Sequence, residues 1–182
     1  MSIALILVDI QNDYFPGGAM EVVGATAAAG QAAKLLAAFR LKALPVIHIQ
    51  HIAARAGATF FLPGTFGTEI HESVRPKQGE PVFQKHFPNS FRETPLLEYL
   101  RKEDISRLAI VGMMTHMCID TTTRAAADLG FSCSLAHDAC ATRALSFNGV
   151  QVAAENVQAA YLAALNGLFA KVMSADDLAS DL

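Results

Sequence analysis

What the chain lacks narrows its function first. No run of Lys or Arg stands out, and 14 basic against 17 acidic residues leave a formal net charge of −3. Phosphate backbones and anionic bilayers are gripped by a basic footprint, so neither nucleic acid nor membrane is expected as a partner. No apolar run is long enough to cross a bilayer: the opening Met1-Ser2-Ile3-Ala4-Leu5-Ile6-Leu7-Val8 meets Asp9 too early and has no basic stretch ahead of it. It reads as a first buried strand. Cysteine is scarce, with 3 residues and no disulfide-like spacing. That odd count fits a reducing compartment in which a thiol is kept for its chemistry, and the cytoplasm is the expected location. No internal repeat or low-complexity segment stands out.

What the chain has is apolar mass. Of its 182 residues 52% are hydrophobic and 17% charged, a balance that folds compactly, builds one domain over residues 1–182, and leaves apolar surface for an oligomer. Strand-length apolar runs recur at Ile3–Val8, Pro45–Ile49, Pro81–Gln84, Leu108–Met113, Phe131–Ala136 and Ala170–Met173. Between most of them lie segments with apolar residues at helical spacing: Ala25–Lys42, Pro95–Lys102, Cys118–Leu129 and Val150–Leu168, with a short last helix at Ala175–Asp181. Alternating strands and helices predict an α/β protein, a three-layer α/β/α sandwich around a mostly parallel, about six-stranded Rossmann-like sheet. One connection breaks the rhythm. The Gly-, Pro-, Thr- and Phe-rich stretch between His51 and Glu80 is long for a structureless link and reads as a wall or lid of a site.

In open parallel sheets ligands bind beyond the carboxyl ends of the strands, so the informative positions are those where an apolar run meets a polar group. The first strand ends in Val8-Asp9-Ile10-Gln11-Asn12-Asp13-Tyr14-Phe15, the third in Phe83-Gln84-Lys85-His86-Phe87, and the fourth in Gly112-Met113-Met114-Thr115-His116-Met117-Cys118. Taken singly, Asp9 could cap a turn, Lys85 could be a surface residue laying its stem on apolar neighbours, and Cys118 could be a small packing residue. Together they supply a carboxylate, an ammonium and a thiol on one edge of one sheet, the groups that activate a sulfur nucleophile. Cys118, at the start of a predicted helix, would also gain from the positive end of its dipole. Cys133 and Cys140 lack such company and read as structural.

In this order and spacing, Asp9-Ile10-Gln11-Asn12-Asp13, Lys85 with Ser90-Phe91, and Gly112 to Cys118 resemble the isochorismatase-like cysteine hydrolases over nearly the whole chain. That superfamily includes nicotinamidases, N-carbamoylsarcosine amidohydrolases, ureide hydrolases and isochorismatases. The resemblance implies an Asp9–Lys85–Cys118 triad, a cis peptide between Met113 and Met114, and an oxyanion hole of the Met114 and Cys118 backbone N–H groups. It also implies dimers or tetramers in which neighbouring subunits help close the pocket. Tyr14, Phe15, Phe60, Phe61, Phe87 and His116 are the candidate substrate-binding residues.

The departures from the family pattern bear on substrate. Nicotinamidases hold a metal with an Asp-x-His pair after the second strand, where this chain has His48-Ile49-Gln50-His51. In a regular strand His48 and His51 point to opposite faces, so no metal cofactor is expected; His48, His51 and His71 are only remote candidate ligands. Isochorismatases, which cleave a vinyl ether by acid–base chemistry, typically lack the cysteine matched by Cys118. The expected activity is therefore a cysteine-dependent hydrolysis of a small amide, carbamoyl or ureide substrate through a thioester. The alternatives are a vinyl-ether hydrolase using Asp9 and Lys85, or a non-enzymatic oligomeric protein with a redox-responsive thiol.

Overall fold

The computed structural model describes residues 2–182. Strands β1 (Ser2–Val8), β2 (Val46–His51), β3 (Val82–Lys85), β4 (Ile105–Met113), β5 (Ser132–Ala141) and β8 (Lys171–Met173) form a six-stranded sheet in the order β3-β2-β1-β4-β5-β8. Every pairing in it is parallel. Helices α1 (Ala25–Leu41), α2 (Leu96–Lys102), α3 (Asp120–Asp128), α4 (Ala154–Leu165) and α5 (Ala175–Ser180) cover it.

β1 shows how sequence period becomes layers. Its side chains alternate between faces: Ile3, Leu5 and Leu7 join one core with α1 residues such as Leu35, Leu36 and Phe39 and with Leu178 of α5. Ala4, Ile6 and Val8 join a second core with Leu96 and Leu100 of α2, Ala126 of α3 and Leu165 of α4. Each fully buried Leu or Ile contributes roughly 1.5–3 kcal/mol, so a strand apolar on both faces is stable only with helices on both sides. This is the α/β/α sandwich.

The strand order sets the place for chemistry. From β1 the chain moves outward to β2 and β3, then returns to place β4 on the other side of β1. The crevice at such a switch point, between the carboxyl ends of β1 and β4, is the natural ligand position. Gly112 lets the two strands close there: at φ +131° it faces Val8, and a Cβ would run into the Val8 carbonyl.

Two local expectations need correction. Val150–Leu168 is not one helix: Leu145–Phe147 (β6) and Val150–Val152 (β7) pair as an antiparallel hairpin, and α4 begins only at Ala154. Between the strands Asn148 and Gly149 both have positive φ, the requirement of a two-residue hairpin turn and the reason Asn-Gly is favoured there. Cys118 likewise lies outside the α-helix, in a π turn over Thr115–Ile119 that precedes α3. The Met113–Met114 peptide bond leading into that turn is cis. Among the described residues no helix is long and apolar enough to cross a membrane.

Candidate active site

Asp9 is the first residue beyond β1 and adopts the left-handed conformation at φ +52°. Few residues other than Gly tolerate that region, Asp among them, and its N–H is fixed to the Ile49 carbonyl at 3.0 Å. Lys85 ends β3, and Cys118 follows β4. All three side chains are buried, Asp9 and Lys85 to 0% exposure and Cys118 to 4%.

The centre of the cluster is the Lys85 ammonium. Its Nζ lies 2.7 Å from Asp9 Oδ2, donates to the Phe87 carbonyl at 3.0 Å and to Cys118 Sγ at 3.2 Å, and meets His51 Nδ1 at 3.0 Å. The Asp9 contact is a charge pair without the alignment of a hydrogen bond, and Asp9 Oδ1 has no protein donor among the described residues. An ammonium has three hydrogens. Those hydrogens face the Phe87 carbonyl, the Cys118 sulfur and His51 Nδ1, and Asp9 is held by charge.

Burial works against the Lys85 charge, but the Asp9 carboxylate and the Cys118 sulfur outweigh it and hold the ammonium above the ordinary lysine value. For Cys118, burial pushes the thiol up and Asp9 adds to this, while Lys85 only partly opposes them. The resting sulfur is therefore a protonated thiol beside a carboxylate that can take its proton. Burial and the neighbouring Lys85 push His51 down to about 4, with Asp9 opposing. His51 is thus neutral at pH 7.

His51, the last residue of β2, sits in the sheet opposite Lys85, and Gln11 clamps its backbone. Gln11 Nε2 donates to the His51 carbonyl at 2.9 Å and to Thr68 O at 2.9 Å, while its Oε1 accepts from His51 N–H at 2.7 Å. From sequence, His51 reads only as a remote candidate metal ligand, and nothing singles out Gln11 as its partner. The available signal was position: both stand at strand ends on the edge that carries Asp9 and Lys85.

The other candidates are placed as follows. Phe60 and Phe61 border a cavity of about 470 Å3 together with His51, Ala53, His86 and Pro88. Tyr14 is buried behind them, its ring centroid 4.7 Å from that of Phe61. Asp13 fastens this wall, accepting from Phe61 N–H at 2.6 Å. Phe87 offers its carbonyl to Lys85 and its ring to the Arg92 guanidinium at 3.6 Å. Phe15 stacks on His71 at 3.6 Å and borders a different cavity with Asn12 and Phe66. His116 shares a 2.5 Å hydrogen bond with Thr142, and Met114 is buried at the mouth of the π turn. Ser90 hydrogen-bonds Thr122 at 2.8 Å, tying the segment after Lys85 to α3.

His48 is occupied elsewhere, 3.0 Å from Glu80, and His71 bonds Ser73. Among the described residues one His/Cys/Asp/Glu group can converge on an ion, Asp9, His51 and Cys118, their ligand atoms within 4.8 Å of one another. Lys85 Nζ stands within 3.2 Å of an atom of each of the three.

The isochorismatase domain model matches residues 3–177. An isochorismatase family protein of Bacillus subtilis, YddQ, is 49% identical over 176 residues, covering 97% of this chain and 98% of that one. The nicotinamidase/pyrazinamidase of Mycobacterium tuberculosis is 29% identical over 71% of this chain and 81% of its own length. The crystal structure of an isochorismatase-type hydrolase from Oleispira antarctica superposes with a TM-score of 0.95 at 52% identity, covering 98% of this chain and 96% of that one. With its strand order, its switch-point crevice and these relatives, the chain belongs to the isochorismatase family of hydrolases.

Proposed function

We propose that this protein hydrolyses a small amide, carbamoyl or ureide substrate by covalent catalysis, with Cys118 as nucleophile, Asp9 as proton acceptor and Lys85 as the cation between them. The observation that carries the reading is the single buried ammonium within 3.2 Å of both the carboxylate and the sulfur. A relative whose name is nicotinamidase/pyrazinamidase supports the amide class.

Because the resting thiol is protonated, sulfur attack and proton transfer are coupled. As Sγ bonds to the substrate carbonyl carbon, the S–H proton passes to Asp9, while Lys85, already donating to the sulfur, stabilises the charge that builds there. The Met114 and Cys118 backbone N–H groups are the proposed donors to the oxyanion, a contribution typically worth about 100- to 1000-fold in turnover. Collapse breaks the C–N bond, Asp9 returns its proton to the departing nitrogen, and a thioester remains. Water then attacks that thioester, giving its proton to Asp9, and the acid is released as the thiol re-forms.

The reading routes no step through a metal. It places the enzyme in the cytoplasm as a homo-oligomer acting on a small molecule. An ammonia-release screen over amides, carbamoyl compounds and ureides tests it, with Cys118→Ala as the control. Release that disappears in the variant supports the thioester route. Turnover that survives overturns it, and survival on an isochorismate-like vinyl ether would assign acid–base chemistry to Asp9 and Lys85 instead.

A further inference from the structure

We propose that His51 contacts the substrate: its ring is held as the Nε2–H tautomer by Lys85, and that N–H donates to a hydrogen-bond acceptor on the molecule bound in the adjoining aromatic cavity. The inference rests on Cys118 being the nucleophile and goes beyond it by naming a specificity residue and what it recognises.

The tautomer follows from the neighbour. An ammonium can only donate, so at 3.0 Å from Lys85 Nζ the His51 Nδ1 must present a lone pair. The ring's proton is then on Nε2. Gln11 clamps the His51 backbone on both the N–H and the carbonyl, and the Lys85 contact engages the ring itself. Asp9, Lys85 and Cys118 are buried, whereas His51 is half-buried and lines the cavity shared with Phe60, Phe61, His86 and Pro88. Of the groups packed around Lys85, it is the side chain that reaches from the buried charges to the space beside them.

A second imidazole lines the same cavity. His86 Nδ1 lies 2.8 Å from the Ile52 carbonyl; a carbonyl only accepts, so Nδ1 bears the hydrogen and is committed to the backbone. The cavity therefore sets a ring donor from His51 beside the aromatic side chains of Phe60 and Phe61, with Arg55 also in its lining. A donor there matches a substrate that presents a carbonyl oxygen, as amide, carbamoyl and ureide groups do.

Two variants separate the halves of the ring. Asn places an oxygen near the Nδ1 position and keeps the Lys85 contact without the outer donor; Gln places an N–H near Nε2. Alkylation of Cys118 is followed by peptide mass spectrometry with iodoacetamide, which carries an amide carbonyl, and with iodomethane, which does not. The ratio of the two rates cancels any change in thiolate population. His51→Asn is expected to lower the iodoacetamide-to-iodomethane ratio about tenfold, the loss of one good hydrogen bond, and His51→Gln to restore most of it. An unchanged ratio in His51→Asn, or a Gln variant no better than Asn, overturns the proposal. Two-bond 15N–1H correlation on the wild-type protein reads the tautomer directly, so the test survives a variant that fails to fold: a proton on Nδ1 also overturns it. Hydrolysis that persists in Cys118→Ala would sink the nucleophile assignment while leaving the ratio and the tautomer to stand separately.

Discussion

Lys85 Nζ and Asp9 Oδ2 meet at 2.7 Å with both side chains completely buried. Removing one member of a buried ion pair strands the other charge in a medium that solvates it poorly, at about 3–5 kcal/mol. Lys85→Met should therefore lose hydrolysis and also lower unfolding stability in urea by roughly that amount. Adding Asp9→Asn should recover part of the stability and none of the activity. A double variant as unstable as the sum of the singles would show that the two side chains are not coupled.

Gln11 is a second dependence that activity alone would not reveal. Its amide satisfies the His51 N–H, the His51 carbonyl and Thr68 O, and it is itself fully buried. Gln11→Ala leaves several buried backbone groups without partners, each at about 1–3 kcal/mol where no water replaces the amide. The expected outcome is a clear fall in thermal midpoint, together with a loss of substrate affinity as His51 and the segment around Thr68 loosen. A variant with unchanged melting and unchanged KM would remove Gln11 from the support of the site.

How much of this was legible beforehand differs by residue. β1 could be read because its apolar run is unbroken and ends on a carboxylate, and Lys85 and Cys118 could be read because each follows a similar run. The α/β alternation needed only that periodicity. The second hairpin strand reads as helix because Val150-Gln151-Val152 adjoins Ala-rich α4, although Phe147-Asn148-Gly149-Val150 carries a turn signal of its own. His51 stands where relatives carry a metal-binding pattern, and what it touches here, Lys85 on the neighbouring strand, depends on register. Register is a long-range property: pairing of His51 with Lys85 follows from how β2 and β3 align across 34 residues, which no local pattern states.

Gly112 offers a test confined to backbone space. Its Cβ-free approach to the Val8 carbonyl lets β1 and β4 close just short of Asp9 and the π turn. Gly112→Ala adds one methyl group where the φ of +131° already disfavours an L side chain. The strands must part or the backbone must change region, so the variant should be destabilised by more than the few tenths of a kcal/mol usual at surface positions. Hydrolysis should fall with it, because the ends of β1 and β4 carry the carboxylate and the thiol. Crystallography of a folded variant with β1 and β4 unmoved would contradict this account.

Acid stability should be set in part far from the site, at Glu80. Burial disfavours its charge, yet hydrogen bonds from Arg40, the Lys77 N–H and His48 outweigh that and hold the carboxyl down to about 2. An unfolded chain would take up the proton near 4.5, so the folded state binds fewer protons across that interval. Stability from Glu80 is then present in full above about pH 4.5 and is lost as pH falls toward about 2. With Glu80 only 13% exposed, the contribution is about 2–3 kcal/mol at neutral pH. His48, buried and kept neutral with its pKa lowered mainly by burial, acts in the same direction at higher pH, since protons taken up by the unfolded chain draw the equilibrium toward it. Urea unfolding at pH 7, 4 and 3 should show the wild type losing stability faster than Glu80→Gln, the two curves converging at low pH. Parallel curves across that window would mean that the Arg40–Glu80 contact is not felt as a linked proton, and the acid sensitivity would have to be sought at other carboxylates.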